Sequence, residues 1–300
     1  MMRSRNGGRQ LLACLAALCA ATGCQRPQDL GAVADAALSS KIRDALQGEG
    51  AAADGAAAST GTGWATLKGT FTFEGSPPAN PPYDVTKDVE VCAPGGQPPK
   101  QQLLVVDDAT KGIANIVIFA RNAARVHDSA APRTDPIEFD QKQCVFLTHV
   151  LALSVGQPLD IKNSDPVGHN TKIDGTGFNQ MIPASGTVPW TAQKESATPL
   201  GVHCSVHPWM LAYMLPRKNG YFAVTAPDGT FEIPNLPAGE EVEIQVWHEL
   251  ASGAQGALVV EGDAAKELKW SKKGRIKVKL DENETREIKI AVPASAFRPI

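Results

Sequence analysis

After residue 24 the sequence has no apolar run long enough to cross a bilayer as a helix, so no later membrane-spanning helix is expected. It has no excess of basic residues either. The formal charge is −3; without Arg3, Arg5 and Arg9, which lie in a segment expected to be removed, 26 basic residues face 32 acidic ones, a net of −6. A nucleic-acid partner is therefore not expected, because phosphate backbones are held by clustered positive charge. There is no GxSxG, no HExxH and no glycine loop of the kind that cradles phosphates, which removes the commonest hydrolase, zinc-protease and nucleotide-binding readings. Cysteine and histidine are scarce, at six residues each, so each can be weighed singly.

The first 24 residues read as an export signal: Arg3, Arg5 and Arg9, then LLACLAALCAA, then small residues ending at Cys24. The stretch AATGC resembles a bacterial lipobox, with Ala21 where Leu or Val is usual. That resemblance implies lipidation of Cys24 and a membrane-anchored chain; the alternative is a plain secretory signal cut nearby. Both place the mature chain outside the cytoplasm, in the periplasm or outer cell envelope, where disulfides persist.

Cys14 and Cys19 are expected to leave with the signal and Cys24 is the anchor candidate, so Cys92, Cys144 and Cys204 remain. Three is odd. The economical solution is a disulfide between Cys92 and Cys144, with Cys204 left as a thiolate with another task; the alternative is two unpaired buried thiols.

Residues 25–63 include AAADGAAASTGTG and little that forms a core, apart from a short helical pattern around Val33 to Leu46, and read as a flexible tether. From Trp64 onward the chain changes to short apolar or alternating runs punctuated by Gly, Pro and Asp: TLKGTFTFEG, GIANIVIFA, CVFLTHVLALSV, QPLDIKN, TFEIPNL and EVEIQVWH. This predicts an all-β sandwich. GRIKVKLDENETREIKIAV alternates, turns and alternates again, which predicts a C-terminal amphipathic hairpin. GYFAVTAPDGTFEIPNLPAGEEVEIQVWH, with its PDG and LPAG turns, resembles the second half of a carboxypeptidase-regulatory-like (transthyretin-like) β-sandwich, and TLKGTFTFEGSPP and GIANIVIFA resemble its first strands. That resemblance implies one sandwich from residues 64–136 and 216–300, with residues 137–215 as an insertion.

The alternative is one continuous, enlarged sandwich; in both readings residues 137–215 carry the chemistry. HCSVHPWM puts Cys204, His207 and Met210 in one loop after the strand-like PLGV, offering a thiolate, an imidazole and a thioether, a soft mixed set that suits copper. A fourth ligand comes from NSDPVGHNTKI, where His169 follows the strand QPLDIKN. His203 and Cys204 would face opposite sides of a strand, so His203 is excluded. His127 sits in a polar loop, and His149 and His248 have no spaced partners. Met181 and Met214 compete with Met210 but lack its spacing.

These residues resemble the cupredoxins, and the contracted C-x2-H-x2-M loop with Pro208 after the histidine is most similar to that of amicyanin; Gly168 stands where the family often has proline. The resemblance covers roughly 80 residues. It implies a cupredoxin-like Greek-key sandwich associated with the transthyretin-like one, and a type 1 site for one copper ion: His169, Cys204 and His207 in a trigonal set, Met210 as weak axial ligand, and Asn170 tying the ligand loops together. Four protein ligands close the coordination sphere, whereas catalytic metals keep an open position, so an electron carrier is expected rather than an enzyme. Its partner would be a transient redox protein, a cytochrome or dehydrogenase, meeting the His207 edge through an apolar patch of Pro208, Trp209 and Leu211. Two other classes remain open: copper delivery without a redox circuit, and an interaction module with a structural metal.

Overall fold

A computed structural model describes residues 61–300. The expected export segment, Cys24 and the expected tether up to residue 60 lie outside the described residues. The described chain is all-β, as its patterning predicts, with four sheets.

One pair of sheets is built from both ends of the described residues. β1 (Trp64–Glu74) runs antiparallel to β13 (Thr230–Pro237) and parallel to β16 (Thr285–Pro293). The other sheet has the order β12 (Phe222–Val224), β2 (Val117–Ala120), β14 (Glu241–Trp247), β15 (Arg275–Lys279). Strict alternation along β1 sends Ala65, Leu67, Phe71 and Phe73 to a shared core with Ile118, Ile233, Ile244, Ile276 and Ile290. Burying a side chain such as Phe71 stabilises the fold by roughly 1.5–3 kcal/mol relative to leaving it exposed. The Pro227-Asp228-Gly229 turn leads from β12 into β13. Gly229 takes φ +81°, and a Cβ there would fall 2.2 Å from the Phe71 carbonyl oxygen, so glycine is required on both grounds.

Nine consecutive strands lie between β2 and β12, which are themselves hydrogen-bonded neighbours. They are β3 (Ile137–Lys142), β4 (Val145–Phe146), β5 (Val150–Ser154), β6 (Pro158–Asn163), β7 (His169–Ile173), β8 (Asn179–Ile182), β9 (Thr187–Thr191), β10 (Leu200–His203) and β11 (Leu211–Arg217). They form two sheets, β4-β3-β6-β9 and β5-β11-β10-β7-β8, around a second core that includes Phe139, Phe146, Leu159, Ile161, Ile173, Val202 and Met214.

A third cluster of Val117, Phe119, Val150, Leu215 and Trp247 joins the strand pair β2 and β14 to the pair β5 and β11. β2 is thus covered on both faces, all four of its residues being buried, which explains why its sequence is continuously apolar rather than alternating.

The C-terminal segment departs from expectation. β15 pairs with β14 and β16 pairs with β1, so the two strands belong to opposite sheets and form no hairpin. Their alternation is real, but Ile276 and Val278 meet Ile288, Ile290 and Val292 across the core instead of side by side. A period-2 pattern identifies the buried face and leaves the neighbouring strand undetermined.

Candidate metal centre

His169 opens β7, directly after the Asn163–Gly168 bend, and Cys204, His207 and Met210 follow β10 in the turn that leads into β11. β7 and β10 are antiparallel neighbours, with Val202 opposite Ile173 and His203 opposite Lys172, so the strand pairing brings the two loops together at one end of the sheet. Met210 N–H donates to the His207 carbonyl at 3.0 Å, and Cys204 N–H to the Met210 carbonyl at 3.4 Å, folding Cys204 to Met210 into a closed turn.

The side chains converge. His169 Nδ1 lies 2.9 Å from His207 Nδ1, and each ring has a nitrogen within 4.8 Å of Cys204 Sγ. Both imidazoles are fully buried, and Cys204 and Met210 nearly so. The distal nitrogens are committed elsewhere: His169 Nε2 is 2.7 Å from Asp165 Oδ2, and His207 Nε2 is 2.9 Å from Asp88 Oδ2. Carboxylates only accept, so both rings carry a proton on Nε2 and aim Nδ1 at the same point as the sulfur.

Cys204 Sγ accepts hydrogen bonds from the backbone amides of Asn170 at 3.3 Å and His207 at 3.4 Å. Burial pushes the thiol pKa up, but His169 and these amides outweigh burial and bring it below the ordinary value. Burial also opposes the charge on His169, yet Asp165 and the Cys204 sulfur push its pKa up to about 9. His207 goes the other way, because burial outweighs Asp88 and holds its pKa below the usual value. In the metal-free site His169 Nδ1–H donates to a neutral His207 Nδ1 beside the Cys204 sulfur. Removing that shared proton and the thiol proton leaves two inward lone pairs and a thiolate, a donor set that fits a soft-accepting cation such as copper.

Asn170 bridges the loops. Its Oδ1 accepts from Ser205 N–H at 3.2 Å and Ser205 Oγ–H at 3.0 Å, while its Nδ2 donates to Asn179 Oδ1 and the Gln180 carbonyl. Cys92 and Cys144 form a disulfide whose sulfurs lie within 4.8 Å of a His207 ring nitrogen. Trp209 Nε1–H donates to the Cys144 carbonyl at 3.1 Å, and its ring centroid is 5.1 Å from that of His207.

The other candidates lie apart. His203 is half-exposed and bonds to Asp174 at 2.9 Å, His127 pairs with Ser129, Met181 is 58% exposed on β8, and Met214 is buried in the second core. His149 and His248 are buried, and neither belongs to a ligand grouping among the described residues. The expected imidazole edge is a correction: His207 shows no surface, because the Asp88 segment lies over it and Trp209 packs beside it.

Sequence reading missed the two carboxylates. Asp165 stands four residues before His169 and carried a faint signal in that spacing. Asp88 stands 119 residues before His207 and carried none.

No protein-family model matches this chain, and no curated protein matches it. Among solved structures it is similar to a copper-containing nitrite reductase from Thermus scotoductus SA-01, at 20% identity over 27% of this chain and 22% of the reductase, with a TM-score of 0.25. It is also similar to the reduced Cu(I) form at pH 4 of an amicyanin mutant, at 19% identity over 33% of this chain and 98% of amicyanin, with a TM-score of 0.24. A second reduced amicyanin mutant matches at 22% identity over 33% of this chain and 91% of that one, with a TM-score of 0.25. At these scores the likenesses do not decide function, which rests on this chain's own side chains.

Proposed function

We propose that this chain is a type 1 copper protein that accepts and passes on single electrons, held in the cell envelope by a lipid on Cys24 and served by a transient redox protein partner. The observation that carries this reading is the meeting of His169 Nδ1, His207 Nδ1 and the hydrogen-bonded Cys204 sulfur in a buried pocket. Those three would hold copper, with the Met210 thioether as the weak fourth ligand. Bound copper supplies a one-electron couple. The residues supply the rest: Asp165 and Asp88 fix both tautomers, the Asn170 and His207 amides stabilise the thiolate, and Asn170 holds the two loops at constant separation. A cage fixed in this way changes little between oxidation states, which favours fast exchange, and four protein donors leave no place for a substrate, which speaks against an enzyme.

The test is the visible and electron paramagnetic resonance spectrum of Cu(II)-loaded protein. An intense thiolate-to-copper absorption that vanishes in Cys204→Ser is expected; copper bound without it in the intact chain overturns the reading. A coloured site that mild reductant and oxidant cannot cycle selects copper delivery instead.

A further inference from the structure

We propose that Asp88 is a positioning residue for His207, which it orients through Nε2 and screens from solvent; the electronic half of this inference rests on the copper reading above, and the screening half does not. The Asp88 carboxylate is 2.9 Å from His207 Nε2, with the His207 side chain wholly buried and that of Asp88 33% exposed. What lies between the imidazole and water is therefore a carboxylate.

The backbone around Asp88 shows that its side chain is reserved for this contact. Asp88 precedes α1 (Val89–Cys92), and an aspartate in that position ordinarily caps the first helical amides with its carboxylate. Here the side chain makes no capping bond. The Val91 and Cys92 amides bond instead to the Asp88 carbonyl, each at 2.9 Å, and the residue sits in the left-handed region at φ 48°. An uncommon backbone conformation and an unused capping role both leave the carboxylate free to reach His207.

The short helix is fixed at its other end. Cys92, four residues after Asp88, is joined to Cys144. The Cys144 amide donates to Asp165 at 2.8 Å, and Asp165 holds His169. One covalent link thus stands between the two carboxylates that orient the two imidazoles, so both rings are held from the same point of the structure.

Two consequences follow for His207. A carboxylate on the distal nitrogen fixes Nδ1 as the inward donor and strengthens it, and its negative charge favours the more highly charged state of a bound metal. The ring edge is also closed, so a redox partner meets the Asp88 segment rather than the imidazole.

The two effects separate in two variants of the full chain. Asp88→Asn keeps an acceptor for Nε2–H but loses the charge, so the reduction potential of the copper-loaded protein should rise while His207 stays screened. Asp88→Ala removes both, so acylation of His207 by diethylpyrocarbonate in the metal-free protein, located by peptide mapping, should accelerate severalfold. Copper affinity in Asp88→Ala should fall by about 10- to 100-fold. An unchanged potential in Asp88→Asn overturns the electronic half, and unchanged His207 labelling in folded Asp88→Ala overturns the screening half. Should the copper reading itself fail, the labelling result still stands, because it uses no metal.

Discussion

His149 and Glu249, a hundred residues apart, pair through the imidazole Nε2 and a carboxylate oxygen with both side chains shut off from water. His149 immediately precedes β5 and Glu249 follows β14, the strands whose apolar residues join the two pairs of sheets. The other ring nitrogen, His149 Nδ1, is buried without a hydrogen-bond partner among the described residues, so among these Glu249 alone satisfies this imidazole.

Glu249→Ala should therefore leave a buried ring with no partner and cost on the order of 1–3 kcal/mol. Replacing both residues by apolar ones of similar shape, His149→Phe with Glu249→Leu, should recover much of that loss. Urea denaturation decides it. A Glu249→Ala midpoint equal to wild type would show that the pair contributes nothing.

The His169 proton should favour the folded metal-free protein less as the solution turns alkaline, while the lowered Cys204 pKa acts in the opposite direction. His169 has its pKa pushed up to about 9 by Asp165 and the Cys204 sulfur, against 6.5 for an unperturbed histidine. The folded state holds that proton more tightly than the unfolded one, so the contribution is complete below the unfolded value and disappears as pH rises through the folded one. The ring signals of His169, followed by NMR of the metal-free protein, should move near pH 9 in wild type and at lower pH in Asp165→Asn. A wild-type ring that titrates near 6.5 would contradict the assignment of the shared proton.

The Cys92–Cys144 disulfide closes a span of 52 residues. Cys92→Ser with Cys144→Ser should cost about 4 kcal/mol in the chain-entropy account. Calorimetry of the oxidised and double-serine proteins gives the comparison, and equal transition temperatures would reject it.

Met210 should tune the copper potential without being needed to retain the ion. A thioether stabilises Cu(I), so Met210→Gln, with a harder oxygen donor, should keep copper and lower the potential. Met181→Gln should change nothing, since Met181 is exposed on β8, and Met214→Leu should also be neutral, since Met214 packs in the apolar core. Protein-film voltammetry on the three variants makes the comparison; a larger shift from Met181 or Met214 would remove Met210 from the axial position.

What could be read from the sequence alone was what depends on near neighbours along the chain. Alternation in β1 marked its buried face, the unbroken IVIFA run marked a strand, and the spacing from Cys204 to His207 marked a loop that carries a thiol and an imidazole side by side. Each is a periodicity or spacing that backbone geometry turns directly into direction. The tertiary structure decided what depends on which strands become neighbours. β15 and β16 alternate as a hairpin would, yet they join opposite sheets, because alternation is satisfied equally well across a core and along a ladder. His207 sits in a loop that sequence reading places at the surface, yet it is buried, because a segment 119 residues earlier folds over it and sets Asp88 on its distal nitrogen. Asp165 reaches His169 only because the bend before β7 turns its carboxylate inward, where the Gln143 and Cys144 amides also hold it. The donor types belong to the sequence; their orientation, protonation and isolation from water belong to contacts between segments that no local pattern records.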